Sequence, residues 1–302
     1  MKTRCFSVLL LMAVAMGITA SCSKDSTDSP SAEATAGPFD DNGASDALFS
    51  VAADRQVRLS RGNLQYQATT GRWRFAEKQY EVVGQTNRYV SADNEDWIDL
   101  FCWGTSGWES GANAYQPWSI SVDGGNYQPG GSWQNGLIGD YANADWGVYN
   151  AISNGGNQRG MWRTLKNTEW AYLFGGGKRV GRWGRASIDG RYNGIILLPD
   201  EWTAPEGITF TPELVGFGSN AYTIEQWERM EAAGAIFLAA AGYRELTAYG
   251  TQNEHGAYWS VSPLNADYPD CALSLIFNEN ELYPSAGVSR GYGFSVRLVQ
   301  DL

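Results

Sequence analysis

Apolar and polar residues alternate in the last third of the chain. In residues 272–277 and 293–299 every second side chain is large and apolar, which is the period of a strand with one buried face. Residues 194–198, 235–238 and 257–260 are short apolar runs of strand length. We predict that these five segments form a C-terminal β-sheet.

Shorter strands are predicted nearer the N-terminus. Residues 49–51 and 57–59 each place a polar residue between two apolar ones. Residues 64–66 and 73–75 do the same on either side of the Ala-Thr-Thr-Gly segment at 68–71. Two such runs around a glycine-containing turn predict a β-hairpin.

Two segments have helical periodicity instead. Residues 168–174 place large apolar side chains on one face and are followed by the glycines of 175–177, which end a helix. Thr223 and Gln226 have the spacing of a capping box, in which each side chain satisfies the other's backbone N–H, and Gly234 suits the helix end. The pattern as a whole predicts an α+β fold with a mainly antiparallel sheet, two helices and long loops.

The predicted loops are rich in aromatic residues. The chain has 36 Gly and 13 Trp, and residues 104–160 are dense in glycine, asparagine, serine and tryptophan. Exposed aromatic rings in such loops stack on sugar faces, whereas buried rings pack the loops onto the core. The candidate ligand-binding residues in this region are Trp108, Tyr115, Trp118, Tyr127 and Trp133.

The N-terminus predicts export and lipid anchoring. Residues 1–21 combine basic residues, an apolar stretch too short to span a bilayer, and a small-residue end, as in secretory leaders. Cys22 follows directly, so we expect cleavage before Cys22 and lipid on its sulfur; an ordinary secretory leader without lipid is the alternative. Residues 22–46 are small and polar and predict a flexible tether. Residues 47–302 are predicted to form one domain.

Charge narrows the class of partner. The chain has 22 basic and 33 acidic residues, a formal net charge of −11. Repulsion from phosphate groups argues against nucleic acid and against an anionic membrane surface, so the membrane is expected to be contacted through the lipid alone. Neutral glycans, peptides and cations remain compatible. Ser23-Lys24-Asp25 is similar to export tags of outer-membrane lipoproteins, and the sequence leaves the periplasmic and exterior faces open.

Two of the four cysteines lie within the predicted domain. Cys102 and Cys271 each lie in an apolar segment, and an exported protein enters a compartment that permits disulfides. We predict that the two pair, with two separate buried thiols as the alternative. The sequence alone does not show whether the two side chains are close enough in space to pair.

Candidate catalytic groups are few. His255 is the only histidine and lies in a polar segment typical of a turn, so a multi-histidine metal site is excluded. Paired carboxylates, as in glycoside hydrolysis, are the remaining catalytic option. The acidic residues considered for that role are Glu169, Asp200, Glu201, Glu225 and Glu228, none of which lies in a catalytic signature.

Two acidic loops raise the question of calcium. Asp93, Glu95, Asp96 and Asp99 supply many oxygens within a short segment, and residues 278–281 form a second such loop. Calcium takes about six to eight oxygen ligands in flexible loops. The spacing matches no EF-hand, so a hydrated acidic turn is the simpler interpretation of both.

A set of short motifs resembles one family of exported bacterial domains. The set is similar to the FISUMP-type major paralogous domain and its DUF1566-type relatives, and it covers about residues 160–302. SRGNL at 60–64 and WIDLFCWG at 97–104 resemble the N-terminal half of the same architecture. In order, the C-terminal motifs are WRTL at 162–165, EWAYLF at 169–174, ILLPD at 196–200, FLAAAGYR at 237–244, GAYWS at 256–260 and GYGFSVR at 291–297.

The resemblance implies a fold similar to C-type lectin-like and formylglycine-generating-enzyme-like domains. In those domains the two chain ends pair in one sheet, two helices flank it, and long loops bind ligands. No established activity comes with the family. The copper-binding cysteine pair of the formylglycine-generating enzymes is absent, and Gln128-Pro129-Gly130 lacks the acid of the calcium-dependent lectin triplet.

These features together favour a non-catalytic binding module on an outer-membrane lipoprotein. The expected ligand is a glycan or another surface polymer. One alternative is a polysaccharide-acting enzyme with paired carboxylates. Another is a structural or adhesin component of a surface assembly, with a surface protein as its partner.

Overall fold

A computed structural model describes residues 38–302. Within that range the chain is an α+β protein, and all but one of the pairings between its strands are antiparallel. The helices are α1 (Trp146–Tyr149), α2 (Asn167–Leu173) and α3 (Ile224–Ala232). The strands are β1 (Phe49–Ala52), β2 (Arg55–Leu59), β3 (Leu64–Gln67), β4 (Arg72–Phe75), β5 (Trp97–Ile98), β6 (Arg163–Thr164), β7 (Trp183–Ile188), β8 (Tyr192–Leu197), β9 (Ala221–Tyr222), β10 (Ile236–Ala239), β11 (Tyr243–Glu245), β12 (Ala248–Gly250), β13 (His255–Pro263), β14 (Cys271–Asn278), β15 (Leu282–Ser289) and β16 (Leu298–Asp301).

The described strands form five sheets. One of them joins the two ends of the described chain in the order β1-β2-β16-β6, with Val57 opposite Asp301 and Leu59 opposite Val299. A second four-stranded sheet has the order β10-β8-β7-β9, and its β7-β9 pair is the parallel one. The sheets β13-β14-β15, β4-β3-β5 and β11-β12 complete the fold.

Three groups of buried apolar side chains hold these sheets together. The second group packs α2 against the chain-end sheet, and the third packs α3 against β10-β8-β7-β9. Burial of large aromatic rings is the main favourable contribution in such cores. The first group lies under the loop region and is the richest in tryptophan, with Trp73, Trp103, Trp146, Trp162 and Trp259.

Both predicted helices are confirmed. Helix α2 matches the predicted segment 168–174 to within one residue. At the start of α3 the Thr223 hydroxyl accepts from the Gln226 N–H at 3.2 Å, and the Thr223 N–H donates to Gln226 Oε1 at 2.9 Å. The predicted hairpin is also present, because β3 pairs with β4 and places Leu64 opposite Phe75.

The prediction for residues 293–299 is wrong in two respects: the strand is shorter than predicted, and both faces of the segment are buried. Only the last residues belong to β16, while residues 293–295 make isolated bridges. Ser295 and Arg297, expected on the solvent side, are 0% exposed.

The single C-terminal sheet that was predicted is divided among several sheets. Strand β15 was not predicted, because Pro284 interrupts its sequence pattern.

The folded part begins earlier than predicted. Ala44 and Ser45 are buried, and Ala44 bridges Ser60. Arg58 donates to Asp40 Oδ2 at 2.7 Å. The part of the predicted tether from Pro38 onward is therefore packed against the domain.

The predicted leader, Cys22 and the rest of the predicted tether lie outside the described residues. None of the helices in residues 38–302 has the length and hydrophobicity needed to cross a bilayer.

Several fully buried arginines lack ion-pair partners within residues 38–302. Arg297 is 0% exposed and forms no salt bridge there. Its Nη2 donates to Gln79 Oε1 at 2.7 Å and its Nη1 donates to the Phe237 carbonyl at 3.3 Å. Burial lowers the pKa of Arg297 to about 10, because the surroundings disfavour the charged form. The guanidinium thus connects its own segment to two others through neutral acceptors.

We predict that Arg297→Lys lowers the free energy of unfolding by about 2–4 kcal/mol, because a lysine amine cannot reach acceptors on separate segments and leaves them unsatisfied. Chemical denaturation monitored by tryptophan fluorescence measures the change. Arg191→Lys is the matched control, since the Arg191 side chain is 69% exposed and forms a salt bridge with Asp189 at 3.7 Å. This variant is expected to change the free energy of unfolding by no more than about 0.5 kcal/mol. Equal effects of the two variants would contradict the role given to Arg297.

Candidate functional site

Two of the five candidate aromatics are packing residues. Tyr115 and Tyr127 are buried, and their hydroxyls donate to backbone carbonyls: Tyr115 to Gln128 at 2.8 Å and Tyr127 to Ser121 at 3.0 Å. Burial also raises the pKa of Tyr127, which keeps its hydroxyl a neutral donor. These two rings pack inside the loops, and their hydroxyls hold the loop backbone.

The three tryptophans are half-buried and differ in their surroundings. Trp108 packs edge-on against Tyr115, with ring centroids 5.6 Å apart. Trp118 lies nearly parallel to Tyr66, with centroids 6.3 Å apart and planes inclined by 24°. Of the five candidates, Trp118 is the one that lines a groove at the surface of the loop region.

That groove, which we call the loop groove, has a volume of about 610 Å³. Its lining combines an indole with aliphatic side chains, carboxamides and hydroxyls, and it contains no ionisable side chain. Ile120, at 36% exposure, and the neighbouring Val122, at 53%, add apolar surface at its edge. The lining residues are Val90, Asn113, Ala114, Trp118, Ser119, Ile120, Ser121 and Asn126.

Arg290 fixes the loops behind the groove. Its Nη1 donates to the Tyr127 carbonyl at 3.2 Å, its Nη2 to the Trp133 carbonyl at 2.8 Å and its Nε to the Cys271 carbonyl at 3.1 Å. The guanidinium also lies 4.3 Å from the centre of the Trp103 ring, a cation–π distance. Burial lowers the pKa of Arg290 to about 10. One side chain therefore connects the aromatic loop to β14.

Arg244 and Cys102 fix the floor of the groove. Arg244 Nη2 and the Cys102 thiol each donate to the Ser119 carbonyl at 3.3 Å. The Gly291 carbonyl lies 3.2 Å from the same sulfur, so the single S–H of Cys102 has two acceptors within reach. Because Ser119 lines the groove, its backbone is held from the interior by a buried cation and a buried thiol.

The predicted disulfide is not formed. Cys102 and Cys271 are both buried, and no disulfide joins them. Cys102 lies under the loop groove, and Cys271 is the first residue of β14. Sequence context placed both cysteines in the core but could not place them next to each other.

His255 lines a second cavity, which has a volume of about 630 Å³. Its acidic lining residues are Glu254, Glu279 and Glu281. Two of these carboxylates accept hydrogen bonds from neighbouring side chains: Asn280 donates to Glu279 at 3.3 Å, and Tyr283 donates to Glu281 at 3.0 Å. The imidazole Nδ1 has no hydrogen-bond partner among the described residues. None of the five carboxylates considered for catalysis lines this cavity or the loop groove.

The most buried of those carboxylates serve the fold instead. Asp200 accepts from the Ser50 hydroxyl at 2.6 Å, Gln56 at 2.6 Å and Arg179 at 3.1 Å. Burial alone would raise the pKa of Asp200, but these hydrogen bonds hold it below its ordinary value. Glu169 is also buried and forms an ion pair with Arg163 at 2.7 Å.

The four calcium candidates do not converge. Asp99 is fully buried and accepts from Asn87 at 2.7 Å, and burial raises its pKa to about 6. Asp93, Glu95 and Asp96 are exposed on the preceding turn. Within residues 38–302 no three histidine, cysteine, aspartate or glutamate side chains come together as a metal site.

Comparison of the chain with protein-family models, with curated proteins and with solved structures found no match.

We predict that both thiols are protected in the folded protein and reactive once it unfolds. Alkylation without reductant, followed by peptide mass spectrometry, is expected to label Cys102 and Cys271 only after denaturant is added, because buried thiols do not reach the reagent. Recovery of a peptide pair joined through these two cysteines would contradict the structure.

Proposed function

We propose that this protein is an outer-membrane lipoprotein whose folded domain binds an uncharged glycan in the loop groove without catalysing a reaction. Sugar rings present apolar C–H faces ringed by hydroxyls, and the groove offers the matching chemistry: the Trp118 indole for the face, and Asn113 and Asn126 carboxamides for the hydroxyls. The observation that carries the proposal is this lining in a cavity of about 610 Å³, a size suited to a small ligand.

Charge supports the same ligand class. The groove lining includes no ionisable side chain, so it offers nothing to neutralise a charged ligand and no general acid or base for hydrolysis. The net charge of −11 opposes polyanions in general. An uncharged glycan that is bound and released intact fits both observations.

We infer that the domain has a C-type lectin-like fold. Support comes from the pairing of β2 with β16, which joins the chain ends in one sheet. The helices α2 and α3 and the long loop region between β5 and β6 agree with the same architecture. The order of the FISUMP-type motifs along the chain is a second support, by analogy at the level of the fold.

Export and anchoring are proposed from the leader. An apolar stretch at residues 6–15 precedes the small residues before Cys22, and lipid chains on a cysteine anchor a protein stably when there are several. The acidic domain would then be held near the membrane without contacting its surface.

We predict that Trp118→Ala weakens glycan binding about tenfold, since loss of one stacked aromatic ring corresponds to roughly 1.4 kcal/mol. Glycan-array binding followed by calorimetry measures the change, and the wild-type protein is expected to release no reducing ends from the bound sugar.

Trp202→Ala is the matched control, because Trp202 is another half-buried tryptophan that packs against the third apolar group. Its binding is expected to equal that of the wild type. An array without any hit for the intact protein, or equal binding by Trp118→Ala, would overturn the proposal.

We predict that Cys22→Ser abolishes acylation and releases the protein from membranes. Metabolic labelling with palmitate and membrane fractionation measure both effects. Cys102→Ser is the control and is expected to stay labelled, since its thiol is buried in the domain. Label retained by Cys22→Ser would contradict the proposed anchor.

A further inference from the structure

A smaller hollow lies next to the loop groove. It has a volume of about 180 Å³ and is lined by Val122, Glu245, Ser289, Gly291 and Tyr292. Ser121 lines the loop groove and the next residue, Val122, lines the hollow. Consecutive residues thus line the two depressions, and we call the segment 121–122 between them the ridge.

Close packing fixes this ridge. A Cβ at Gly291 would lie 2.6 Å from the Ser121 carbonyl oxygen and 3.0 Å from Val122 Cα, so only glycine allows the backbone to approach this closely. In addition, the Tyr127 hydroxyl donates to the Ser121 carbonyl at 3.0 Å and Asn126 donates to the Ser121 hydroxyl at 2.7 Å. These contacts hold the backbone between the two depressions in place.

The hollow differs from the groove in one chemical respect. It contains a carboxylate, Glu245, which is exposed and forms no ion pair within residues 38–302. A carboxylate accepts hydrogen bonds from two hydroxyls at once. The half-buried Tyr292 ring beside it, held edge-on by Tyr243 at 5.8 Å, adds an apolar surface.

We propose that the loop groove and the hollow are neighbouring subsites for consecutive units of one uncharged oligosaccharide chain that crosses the ridge at Val122. This inference rests on the proposed glycan binding and adds a requirement on the length of the ligand: a single sugar binds in the groove alone, and a longer chain also reaches Glu245. The carboxylate disfavours acidic units at the second subsite, so the ligand class is a neutral oligosaccharide of at least two units.

The test uses the full-length protein in detergent and three defined probe series of one to four units: β-1,4-linked glucose, β-1,4-linked N-acetylglucosamine and α-linked mannose. For whichever series binds, affinity is expected to rise about tenfold when the chain is long enough to add the hydrogen bonds of the second subsite. Glu245→Ala is expected to abolish that rise and to leave binding of the single sugar unchanged. Glu245→Gln, which keeps the shape and one acceptor, is expected to retain part of the rise.

Glu254→Ala is the matched control, because Glu254 is also exposed but lines the cavity around His255; it is expected to match the wild type at every length. Equal affinity for all lengths, or an unchanged length dependence in Glu245→Ala, would overturn the two-subsite inference while glycan binding in the groove still stands. Absence of binding to every series would overturn the proposed function and this inference with it.

Discussion

The hydrogen bonds from buried arginines to backbone carbonyls are the interaction on which this fold depends. Arg244, Arg290 and Arg297 are each 0% exposed and form no ion pair within the described residues. A long-loop protein has many carbonyls outside strands and helices, and each one that is buried must find a donor. A guanidinium offers five N–H groups in a rigid plane, so one arginine satisfies several loop carbonyls and connects their segments. The desolvation of the cation is offset by these bonds and by the Trp103 ring beneath Arg290.

This arrangement explains how irregular chain can form a definite surface. The segment that contains Trp118 has little regular secondary structure of its own, yet its backbone is held from below at Ser119 by Arg244 and at Tyr127 by Arg290. Its buried aromatic rings add packing against the tryptophan-rich group. A groove built in this way is pre-formed, so a molecule that bound there would not have to order the loops.

Local signals in the sequence predicted the helices and the hairpin, because a capping box such as Thr223 and Gln226 and a turn between alternating runs act within a few residues. The hydrophobic pattern wrongly predicted that Arg297 is exposed. An arginine between two apolar neighbours has the spacing of the solvent-facing side of a strand. Its hydrogen-bond acceptors in the interior come from distant segments, which a local pattern does not show. Of the residues that line the groove, only Trp118 was among the predicted ligand-binding residues, because loop aromatics are recognisable in a sequence, whereas Val90 joins the groove only through tertiary structure. The same limit applies to Cys102, whose burial was foreseeable but whose neighbours were not.

Hydrogen exchange of the wild-type protein and Arg290→Lys, followed by peptide mass spectrometry, tests most directly whether buried guanidiniums hold the loops. Slow exchange is predicted for the wild-type segment around Gly131 and Leu137, whose N–H groups donate to Gln128 and Val261 carbonyls, at rates close to those of the sheet peptides. The lysine variant, which keeps the charge but not the three-carbonyl geometry, is predicted to exchange faster in this segment while the sheets stay protected. Rapid exchange of the loop in the wild type, or identical protection in the two proteins, would contradict the account.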